Sequence, residues 1–436
     1  MTPDRFWQPE IEKMSWKELE RLQNKRLRSI LKYAYENSPW YRKRAKRDKV
    51  NYKSIKSVAD LSKIPFTTKE DLRDNYPFGF LAASIENVVR IHASSGTTGN
   101  PTVVLYTKRD LENWANCIAR CLTMTGVGRG DVFQVILGYG LFTGGLGFHY
   151  GAEKIGATVV PSATGNTKRQ IKLMRDFGVT AFTSIPSYTL YLAEVAQEQG
   201  VDVAEDLKIK TISCGAEAWS ETVRKKIEDL FGCNVFNSYG LSEAFGPGVA
   251  FECFKQSGLH LWADQFIVEI VDPKTGERVE PEEQGEIVLT TLTKEAMPLL
   301  RYRTRDIAAM LDERTCECGR SHPKISWISG RTDDMVKIHG VNVFPSQVEH
   351  VLMNEKTVGN NYQLIITEEK HMDQLKVKIE TKEKISQEET LQALNEKIRK
   401  ELESTLGVSI QVELVEPYSI PRVEGKAQRV VDLRRR

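Results

Sequence analysis

The N-terminal part of the chain has hydrophobic residues at helical spacing. Between Ser15 and Val50, apolar side chains recur every three or four residues and charged residues fill the positions between them. This pattern predicts an amphipathic helical segment. A second, short helix is predicted at "TTKEDLRDN", where the hydroxyl of Thr67 or Thr68 is placed to cap the helix start.

From Asp131 onward, short apolar runs alternate with helix-like segments. The strand-like runs are "DVFQVIL", "ATVVP", "VTAFTSI", "IKTISC" and "CNVFNS". The helix-like segments between them include "NTKRQIKLMRDFG", "YTLYLAEVAQEQG" and "SETVRKKIEDLFG". This alternation predicts a parallel sheet with helices packed against it.

The predicted strands end in small or polar residues. The segments that follow them are "GYG", "PSATG", "SIPS", "CGAE" and "SYGLSE". Each of these segments alone is compatible with an ordinary turn. Because open parallel sheets bind ligands beyond the carboxyl ends of their strands, the five segments together favour a ligand crevice.

The C-terminal part of the chain has a different pattern. After Pro273, "PKTGERVEPEEQGEIVLTTLT" predicts β-hairpins with glycine turns. From Val341 to Arg436 we predict a small α+β unit, whose helix is expected to begin at a Ser386 cap and to end at Gly407. The predicted fold class is α/β, with layered α/β sheets and a β-hairpin region in a large N-terminal domain and a small α+β C-terminal domain.

The length and composition of the chain exclude several classes of protein. The 436 residues are too many for one compact core, so two or more domains are expected. Lys and Arg total 61 and Asp and Glu total 59, and the resulting charge of +2 argues against binding to nucleic acid or to a membrane surface. No apolar stretch approaches the roughly 20 residues of a membrane span, and the N-terminus lacks the apolar segment of a signal peptide. We therefore expect a cytoplasmic protein.

Seven cysteines without an export signal predict reduced thiols or a metal site. Four of them lie in apolar or mixed segments typical of a protein core: Cys117, Cys121, Cys214 and Cys233. The other three form, with one histidine, a candidate structural zinc set: Cys253, His260, Cys316 and Cys318. Two alternatives stay open, namely exposed thiols without a metal and His322 as a competing ligand.

The stretch "SSGTTGN", from Ser94 to Asn100, is a candidate phosphate-binding loop. Its glycines allow backbone N–H groups to turn towards an anion, and its hydroxyls add donors. It is not a Walker loop, because Gly96 and Gly99 are too close together and no lysine follows. Alone it is a weak signal, since Gly/Ser/Thr-rich loops are common.

With other stretches, this loop resembles the adenylate-forming superfamily of acyl-CoA synthetases, and its phenylacetate–coenzyme A ligase branch in particular. The similar stretches run in the family's order from about Ile64 to Arg429, and include "IPFTTKEDLRDNYPFG", "GYGLFTGGLGFHYGAEKIGATVVP", "CGAE", "SYGLSEAFGPGVAFEC", "LRYRTRDI", "GRTDDMVKIHGVNVFPSQVE" and "EGKAQRV". The resemblance implies two steps. A carboxylate attacks the α-phosphorus of ATP to give an acyl-adenylate and pyrophosphate, and the thiol of coenzyme A then displaces AMP.

The resemblance implies ATP/AMP, Mg²⁺ and coenzyme A as cofactors and assigns residues to them. Phosphate binding falls to Ser94, Ser95, Gly96, Thr97, Thr98 and Gly99. Binding of the adenosine part falls to Gly215, Ala216, Glu217, Asn237, Ser238, Tyr239, Gly240, Ser242 and Asp306. Glu243 matches the magnesium-binding glutamate, and Arg331 matches an arginine near the ribose and the phosphates.

Apart from the resemblance, these residues have simpler interpretations. Glu243 would be a solvated glutamate at a helix start. Asp306 would form a surface ion pair with Arg303 or Arg305, which contributes little to stability.

The C-terminal domain carries the remaining implied roles. Lys426 matches a mobile lysine that bridges the attacking carboxylate and the α-phosphate. Asp333 matches the hinge about which this domain rotates between the two steps, so we predict domains at residues 1–332 and 333–436. Rotation would bring Gly340 to the coenzyme A channel.

The acyl pocket is expected in "GYGLFTGGLGFHYG". Glycines there remove side-chain volume and aromatic rings supply flat apolar walls, which suits an arylacetate-like acid. The predicted substrate residues are Tyr139, Gly140, Phe142 and Gly144.

Two other functions are compatible with the motifs. One is an adenylyltransferase of the same superfamily, of the type that acts on deazaflavin coenzymes, and the other is a nucleotide-binding module that has lost catalysis. The resemblance also suggests a homodimer. Most relatives have lysine where this chain has Asn100, and an amide brings no charge, so we expect weaker ATP affinity at that position.

Overall fold

The structure is a computed structural model and describes residues 5–94, 100–312, 315–333, 335–339, 341–369, 372–421 and 429–434. The α-helices in these ranges are α1 Pro9–Glu12, α2 Trp16–Asn37, α3 Pro39–Arg47, α4 Lys69–Asp74, α5 Lys108–Met124, α6 Gly144–Lys154, α7 Thr167–Phe177, α8 Pro186–Glu198, α9 Glu221–Phe231, α10 Pro345–Met353 and α11 Glu388–Leu406. Short 3₁₀ helices span Tyr52–Ser54, Val58–Lys63 and Ile85–Asn87. Within the described ranges, no helix is both long and apolar enough to cross a membrane.

The β-strands of the same ranges form five sheets. They are β1 Val88–Ala93, β2 Val103–Thr107, β3 Val132–Val135, β4 Thr158–Val160, β5 Ala181–Ser184, β6 Thr211–Gly215, β7 Asn234–Leu241, β8 Gly246–Glu252, β9 Leu259–Leu261, β10 Phe266–Val271, β11 Gln284–Thr291, β12 Tyr302–Ala309, β13 Lys324–Ile325, β14 Gly330–Arg331, β15 Val336–Ile338, β16 Val341–Val343, β17 Val358–Glu369, β18 Met372–Thr381, β19 Gln411–Val415 and β20 Val430–Asp432.

The largest sheet has the strand order β13-β9-β8-β7-β6-β5-β3-β4. Strands β3 to β7 are parallel, and β8, β9 and β13 continue the sheet in antiparallel pairs. Strands β5 and β6 are buried at every position, as is typical of parallel strands covered on both faces. The α/β fold class predicted from the sequence is confirmed.

Helices cover both faces of this sheet. Adjacent strand residues belong to different hydrophobic cores: Phe236 packs with helices α5 and α6, whereas Val235 packs with α7, α8 and α9. This follows from the pleat, because successive side chains of a strand point to opposite faces. The predicted helix-like segments, α7, α8 and α9, therefore cover one face of the sheet, and α5 and α6 cover the other.

Helices α5 and α6 pack unusually closely because α6 carries glycines at the contact. A Cβ on Gly151 would lie 2.2 Å from Ile118 Cγ2, and a Cβ on Gly147 would lie 2.5 Å from Trp114 Cζ2. The glycine-rich stretch predicted to form an acyl pocket thus also serves helix packing.

The N-terminal helices pack beside a four-stranded antiparallel sheet with the order β10-β11-β12-β14. This sheet contains the predicted hairpins. The single helical segment predicted for residues 15–50 is two helices, because the chain breaks at Ser38 and restarts at Pro39, a residue favoured at a first helical position. Of the two possible caps of α4, Thr68 is correct, since its hydroxyl accepts a hydrogen bond from the Asp71 N–H.

Two buried ion pairs anchor the N-terminal segment and helix α5. Arg320 lies 2.6 Å from Glu12, and Arg120 lies 2.6 Å from Asp264. Removing one partner from such a pair leaves an uncompensated buried charge, which is strongly destabilising. These pairs therefore fix the start of the chain to the body of the protein.

The residues from Val336 onward share a hydrophobic core of their own. It forms between helices α10 and α11 and a sheet with the order β19-β18-β17-β20. The predicted end of the long helix at Gly407 is confirmed, with a φ of 69°. The predicted Ser386 cap is wrong, because α11 begins at Glu388 and its N-cap is Gln387, without a side-chain cap. The boundary at 332/333 stays a prediction.

We predict that Gly151→Ala lowers the free energy of unfolding by about 1–2 kcal/mol. Overpacking at the α5–α6 contact costs about 1–3 kcal/mol, and the better helix propensity of alanine returns up to about 1 kcal/mol. Gly128→Ala is the matched control, since its Cβ would meet nothing within 4 Å. Urea unfolding measures both variants, and equal stability of the two would contradict the packing argument.

Candidate active site

A cavity of about 870 Å³ lies at the carboxyl ends of the parallel strands. Its wall includes Ile136 after β3, Ile185 after β5, Gly215 at the end of β6 and Ser238 in β7. The C-terminal part of the chain supplies Pro345, Ser346, Glu349, Tyr362, Arg429 and Val430. The crevice expected from the strand ends is therefore present, and residues from both ends of the chain enclose it.

Most of the predicted site residues that the structure describes line this cavity. They are Ser94, Phe142, Gly144, Gly215, Ala216, Glu217, Asn237, Ser238, Tyr239, Gly240, Ser242, Glu243, Asp306 and Arg331. Ser95, Gly96, Thr97, Thr98, Gly99, Gly340 and Lys426 lie outside the described residues.

Asp306 joins two sheets at one end of the cavity. Its side chain is buried, and it accepts hydrogen bonds from the Tyr239 hydroxyl at 2.7 Å and from Arg331 Nη1 at 2.6 Å. Burial raises the pKa of Asp306, and the Arg331 guanidinium opposes this shift. The surface pairing with Arg303 or Arg305 is wrong, since those arginines contact Glu286 and Glu70 instead.

The glycines of this region are required by the protein itself. A Cβ on Gly215 would lie 2.2 Å from the Ser238 carbonyl oxygen, and a Cβ on Gly240 would lie 2.0 Å from the Gly246 carbonyl oxygen. Ala216 follows with a φ of 71°, and Glu217 accepts a hydrogen bond from the Ser187 N–H. Close approach of the strand ends thus fixes the floor of the cavity.

Glu243 lies in the turn between β7 and β8, and its side chain is buried. The interpretation as a solvated glutamate at a helix start is therefore wrong. Its Oε1 accepts a hydrogen bond from the Tyr302 hydroxyl at 3.3 Å and lies 3.6 Å from Lys69 Nζ. Behind it, the buried ammonium of Lys294 donates to the carbonyl oxygens of Glu243 and Ala244, and burial lowers the pKa of Lys294 to about 7.

Two of the four predicted substrate residues do not line the cavity. Tyr139 is half-buried and its hydroxyl contacts His149 Nδ1 at 3.2 Å, while His149 Nε2 lies 3.0 Å from Glu153. Gly140 is exposed. The loop lines the cavity through Gly138, Phe142 and Thr143, whereas Tyr139 turns to His149 on helix α6.

Several residues of the cavity wall were not predicted as site residues. They include Lys69, Phe148, Thr164, Tyr188, Trp219, Ile328, Glu349, Tyr362 and Arg429. Lys69 stands in a stretch that resembles the family, "IPFTTKEDLRDNYPFG", and that resemblance was the available signal. Phe148, Thr164, Glu349 and Arg429 also stand in stretches singled out above, whereas no local motif marks the remaining four.

Asp333 lies next to this site. Arg331 Nε donates to Asp333 Oδ1 at 2.9 Å, and Arg305 Nη1 lies 3.5 Å from its Oδ2. Arg331 therefore contacts both Asp306 and the predicted hinge residue.

Two family models match the chain. The model described as AMP-binding enzyme matches residues 18–292, and the model described as AMP-binding enzyme C-terminal domain matches residues 340–434. A phenylacetate–coenzyme A ligase of Thermus thermophilus is 45% identical over 446 residues, which cover 99% of this chain and 100% of the relative. The chain belongs to the phenylacetate–coenzyme A ligase branch of the adenylate-forming superfamily. It is an acid–thiol ligase of the AMP-forming class. The two alternatives, an adenylyltransferase and a nucleotide-binding module that has lost catalysis, are not favoured.

Two solved structures of a 2-hydroxyisobutyryl-CoA ligase, 28% identical to this chain, are also similar to it. The structure in the postadenylation state with 2-HIB-AMP has a TM-score of 0.93, and the structure in the thioesterification state with 2-HIB-AMP and CoA has a TM-score of 0.73. Both comparisons cover 99% of this chain and 93% of that ligase. The ligase described here is thus more similar to the postadenylation structure.

A second candidate site of this ligase contains the predicted metal-binding set. The ligand atoms of Cys253, His260, Cys316 and Cys318 all lie within 4.8 Å of one another, and all four residues are buried. Cys253 Sγ is 3.8 Å from Cys316 Sγ, and Cys318 Sγ is 3.4 Å from His260 Nε2. Hydrogen bonding from Cys253 lowers the pKa of the Cys316 thiol. The alternative of exposed thiols is wrong.

His322 is not part of this set. Its Nδ1 accepts a hydrogen bond from the Ala263 N–H at 3.1 Å, and its Nε2 contacts the Ile11 carbonyl oxygen at 3.3 Å. The His322 carbonyl oxygen lies 3.2 Å from His260 Nδ1. This contact leaves His260 Nε2 facing the sulfurs, an arrangement typical of metal-binding histidines.

Proposed function

We propose that this ligase converts phenylacetate or a similar aryl acid, ATP and coenzyme A to the aryl-CoA thioester, AMP and pyrophosphate. The observation that carries the proposal is the single cavity that joins three kinds of wall. Tyr239, Asp306 and Arg331 contribute polar groups, Ser94 and Glu243 are the residues predicted to bind phosphate and Mg²⁺, and aromatic rings line a further part of the wall. The relatives named as phenylacetate–coenzyme A ligases support the choice of acid.

In the proposed first step, the cavity holds the nucleotide by its ends. The Asp306 carboxylate accepts hydrogen bonds from the ribose hydroxyls, and Arg331 contacts the phosphates. Glu243 would hold Mg²⁺, which neutralises phosphate charge. A carboxylate oxygen of the acid then attacks the α-phosphorus, and pyrophosphate leaves with the electron pair of the broken bond.

The aromatic region of the wall suits an aryl acid. Phe142, Phe148 and Tyr188 contribute rings, and Gly144 adds little volume. Flat apolar walls bind aromatic rings well. Adding or removing one methylene of a substrate changes its transition-state binding by only about 1–3 kcal/mol. The wall therefore supports aryl acids as a substrate class and does not select one acid among them.

We further propose that the C-terminal domain rotates at Asp333 before the thioester step. The higher TM-score to the postadenylation structure supports a start from that arrangement. In this arrangement Asn360 contacts Lys226 and Glu194, and the Tyr418 hydroxyl donates to Glu198 at 2.7 Å. Rotation would replace these polar contacts and bring Gly340 to coenzyme A. A homodimer and a cytoplasmic location stay predictions.

The ligase activity is tested by measuring AMP, pyrophosphate and thioester with phenylacetate as the acid. We expect all three products only when ATP, acid and coenzyme A are present together. A panel of aryl acids compared by kcat/KM ranks the substrates. Pyrophosphate release without any consumption of coenzyme A, for every acid of the panel, would contradict the proposal and favour the adenylyltransferase.

Lys426→Ala is predicted to lower the rate of adenylation by about 10²–10³-fold, the usual cost of removing one group that stabilises transition-state charge. Thioester formation from supplied acyl-adenylate should stay within a fewfold of the unchanged protein, because the lysine is withdrawn in that step. Single-turnover assays of each half-reaction separate the two effects. Equal losses in both half-reactions would contradict the rotation.

We also propose that Cys253, His260, Cys316 and Cys318 bind a structural zinc ion. A tetrahedral site with Zn–S bonds of about 2.3 Å places its sulfurs about 3.8 Å apart, and the Cys253–Cys316 distance is 3.8 Å. Three thiols and one imidazole form a closed set of four, which is typical of structural sites. Arg320 lies beside Cys318 and pairs with Glu12, so the site would support the anchoring of the N-terminal segment.

Metal analysis of the purified protein is expected to give about one equivalent of zinc. Cys316→Ser with Cys318→Ser should lose the metal and lower the melting temperature, because zinc binding contributes to folding. Cys233→Ser is the control, since this thiol lies outside the set. Less than about half an equivalent of zinc in the unchanged protein would contradict the proposal.

A further inference from the structure

Lys69 places a cation at the phosphate end of the cavity. Its side chain is 25% exposed, lines the cavity together with Ser94 and Glu243, and puts Nζ 3.6 Å from Glu243 Oε1. Asn100, at the end of the predicted phosphate loop, brings no charge. The lysine missing from the loop is therefore matched by a lysine from a different part of the chain.

The backbone around Lys69 is held firmly. Lys69 is the first residue of α4, directly after the Thr68 cap. The Thr67 N–H donates to the Arg301 carbonyl oxygen, the Arg303 N–H donates to the Thr67 carbonyl oxygen, and the Thr67 hydroxyl donates to the Leu300 carbonyl oxygen. These bonds attach the start of α4 to the segment that leads into β12, so the ammonium projects from a fixed point.

Two other cationic side chains line the cavity within the described part of the chain, and each pairs with carboxylates other than Glu243. Arg331 pairs with Asp306 and Asp333. Arg429 lies over the ring of Tyr362 and 3.8 Å from Glu349. The ammonium of Lys294 is fully buried behind the wall and donates to backbone carbonyl oxygens. This leaves Lys69 as the described cation of the cavity wall that pairs with Glu243.

We propose that Lys69 binds the β- and γ-phosphates of ATP and neutralises the departing pyrophosphate. The inference rests on the proposed function. When the carboxylate oxygen bonds to the α-phosphorus, the bond from that phosphorus to the oxygen bridging to the β-phosphate breaks, and its electron pair stays on pyrophosphate. No proton moves in this step. The ammonium of Lys69 then donates hydrogen bonds to oxygens whose negative charge has increased.

A simpler role for Lys69 is that of an ion-pair partner that only holds Glu243. The two roles differ in which ligand loses affinity when the charge is removed. A phosphate-binding lysine discriminates ATP from AMP, because AMP lacks the β- and γ-phosphates. A lysine that only holds Glu243 changes ATP affinity through the Mg²⁺ that Glu243 would bind. Its effect on ATP affinity therefore disappears when Mg²⁺ is removed.

The experiment compares dissociation constants of ATP and AMP for the unchanged protein and for Lys69→Met, which keeps a long side chain without the charge. Titrations are made with Mg²⁺ and again with EDTA, in the absence of acid and coenzyme A. We expect Lys69→Met to weaken ATP binding about tenfold under both conditions, as for the loss of one charge-assisted hydrogen bond, and AMP binding less than about twofold. Lys63→Met is the matched control, since Lys63 pairs with Asp60 in the 3₁₀ helix that precedes the stretch.

Two results would overturn the inference: an unchanged ratio of the ATP and AMP dissociation constants, or a loss of ATP affinity that vanishes in EDTA. A thermal unfolding curve for each variant shows that the protein compared is folded. Because the titrations contain no acid, they do not depend on which acid is used. Failure of the thioester assay with an intact preference for ATP over AMP would overturn the proposed function alone.

Discussion

The buried carboxylate of Asp306 is the interaction on which the nucleotide end of the site depends. A buried charge is costly unless it is paired and hydrogen-bonded. Asp306 on β12 obtains its partners from two other strands, Tyr239 on β7 and Arg331 on β14. The Tyr239 contact joins the eight-stranded sheet to the four-stranded sheet. The polar end of the cavity is therefore fixed by the pairing that a buried carboxylate requires.

The charges along the cavity follow a matching pattern. The Asp306 carboxylate faces the Arg331 guanidinium, and the Glu243 carboxylate faces the Lys69 ammonium. In each pair, the carboxylate can accept hydrogen bonds and the neighbouring cation can donate them to the same ligand. Under the proposed function, the first pair suits ribose hydroxyls and the second suits a phosphate chain with its metal ion. Opposite charges close together also keep the site nearly neutral before the nucleotide binds.

Local sequence predicted the elements better than the contacts between them. The apolar runs after Asp131 are parallel strands, because burial on both faces imposes a composition that is visible in each run. The cysteine set followed from residue types alone, and its members meet although 63 residues separate Cys253 from Cys316. The cap of α11 was misplaced by one residue, since Ser386 and Gln387 stand side by side and either could precede the helix.

Contacts between distant parts of the chain were harder to predict. Nothing in the sequence around Asp306 indicated that its partner is Arg331 rather than Arg303 or Arg305, because the pairing of β12 with β14 places Arg331 opposite Asp306. Tyr139 was placed in the acyl pocket by its neighbours, but the start of α6 directs it to His149. Gly215 was expected to bind the adenosine part of the nucleotide, and its missing side chain makes room for the Ser238 carbonyl oxygen.

Arg331 connects the nucleotide end of the cavity to the proposed rotation. One guanidinium contacts Asp306, which is buried, and Asp333, whose side chain is 35% exposed. An exposed ion pair contributes little, whereas a buried carboxylate cannot lose its partner cheaply. A rotation about Asp333 would therefore break the contact to Asp333 first and leave the contact to Asp306 in place. The arginine can thus stay with the nucleotide while the C-terminal domain changes position, which is what two successive reactions on one bound adenylate require.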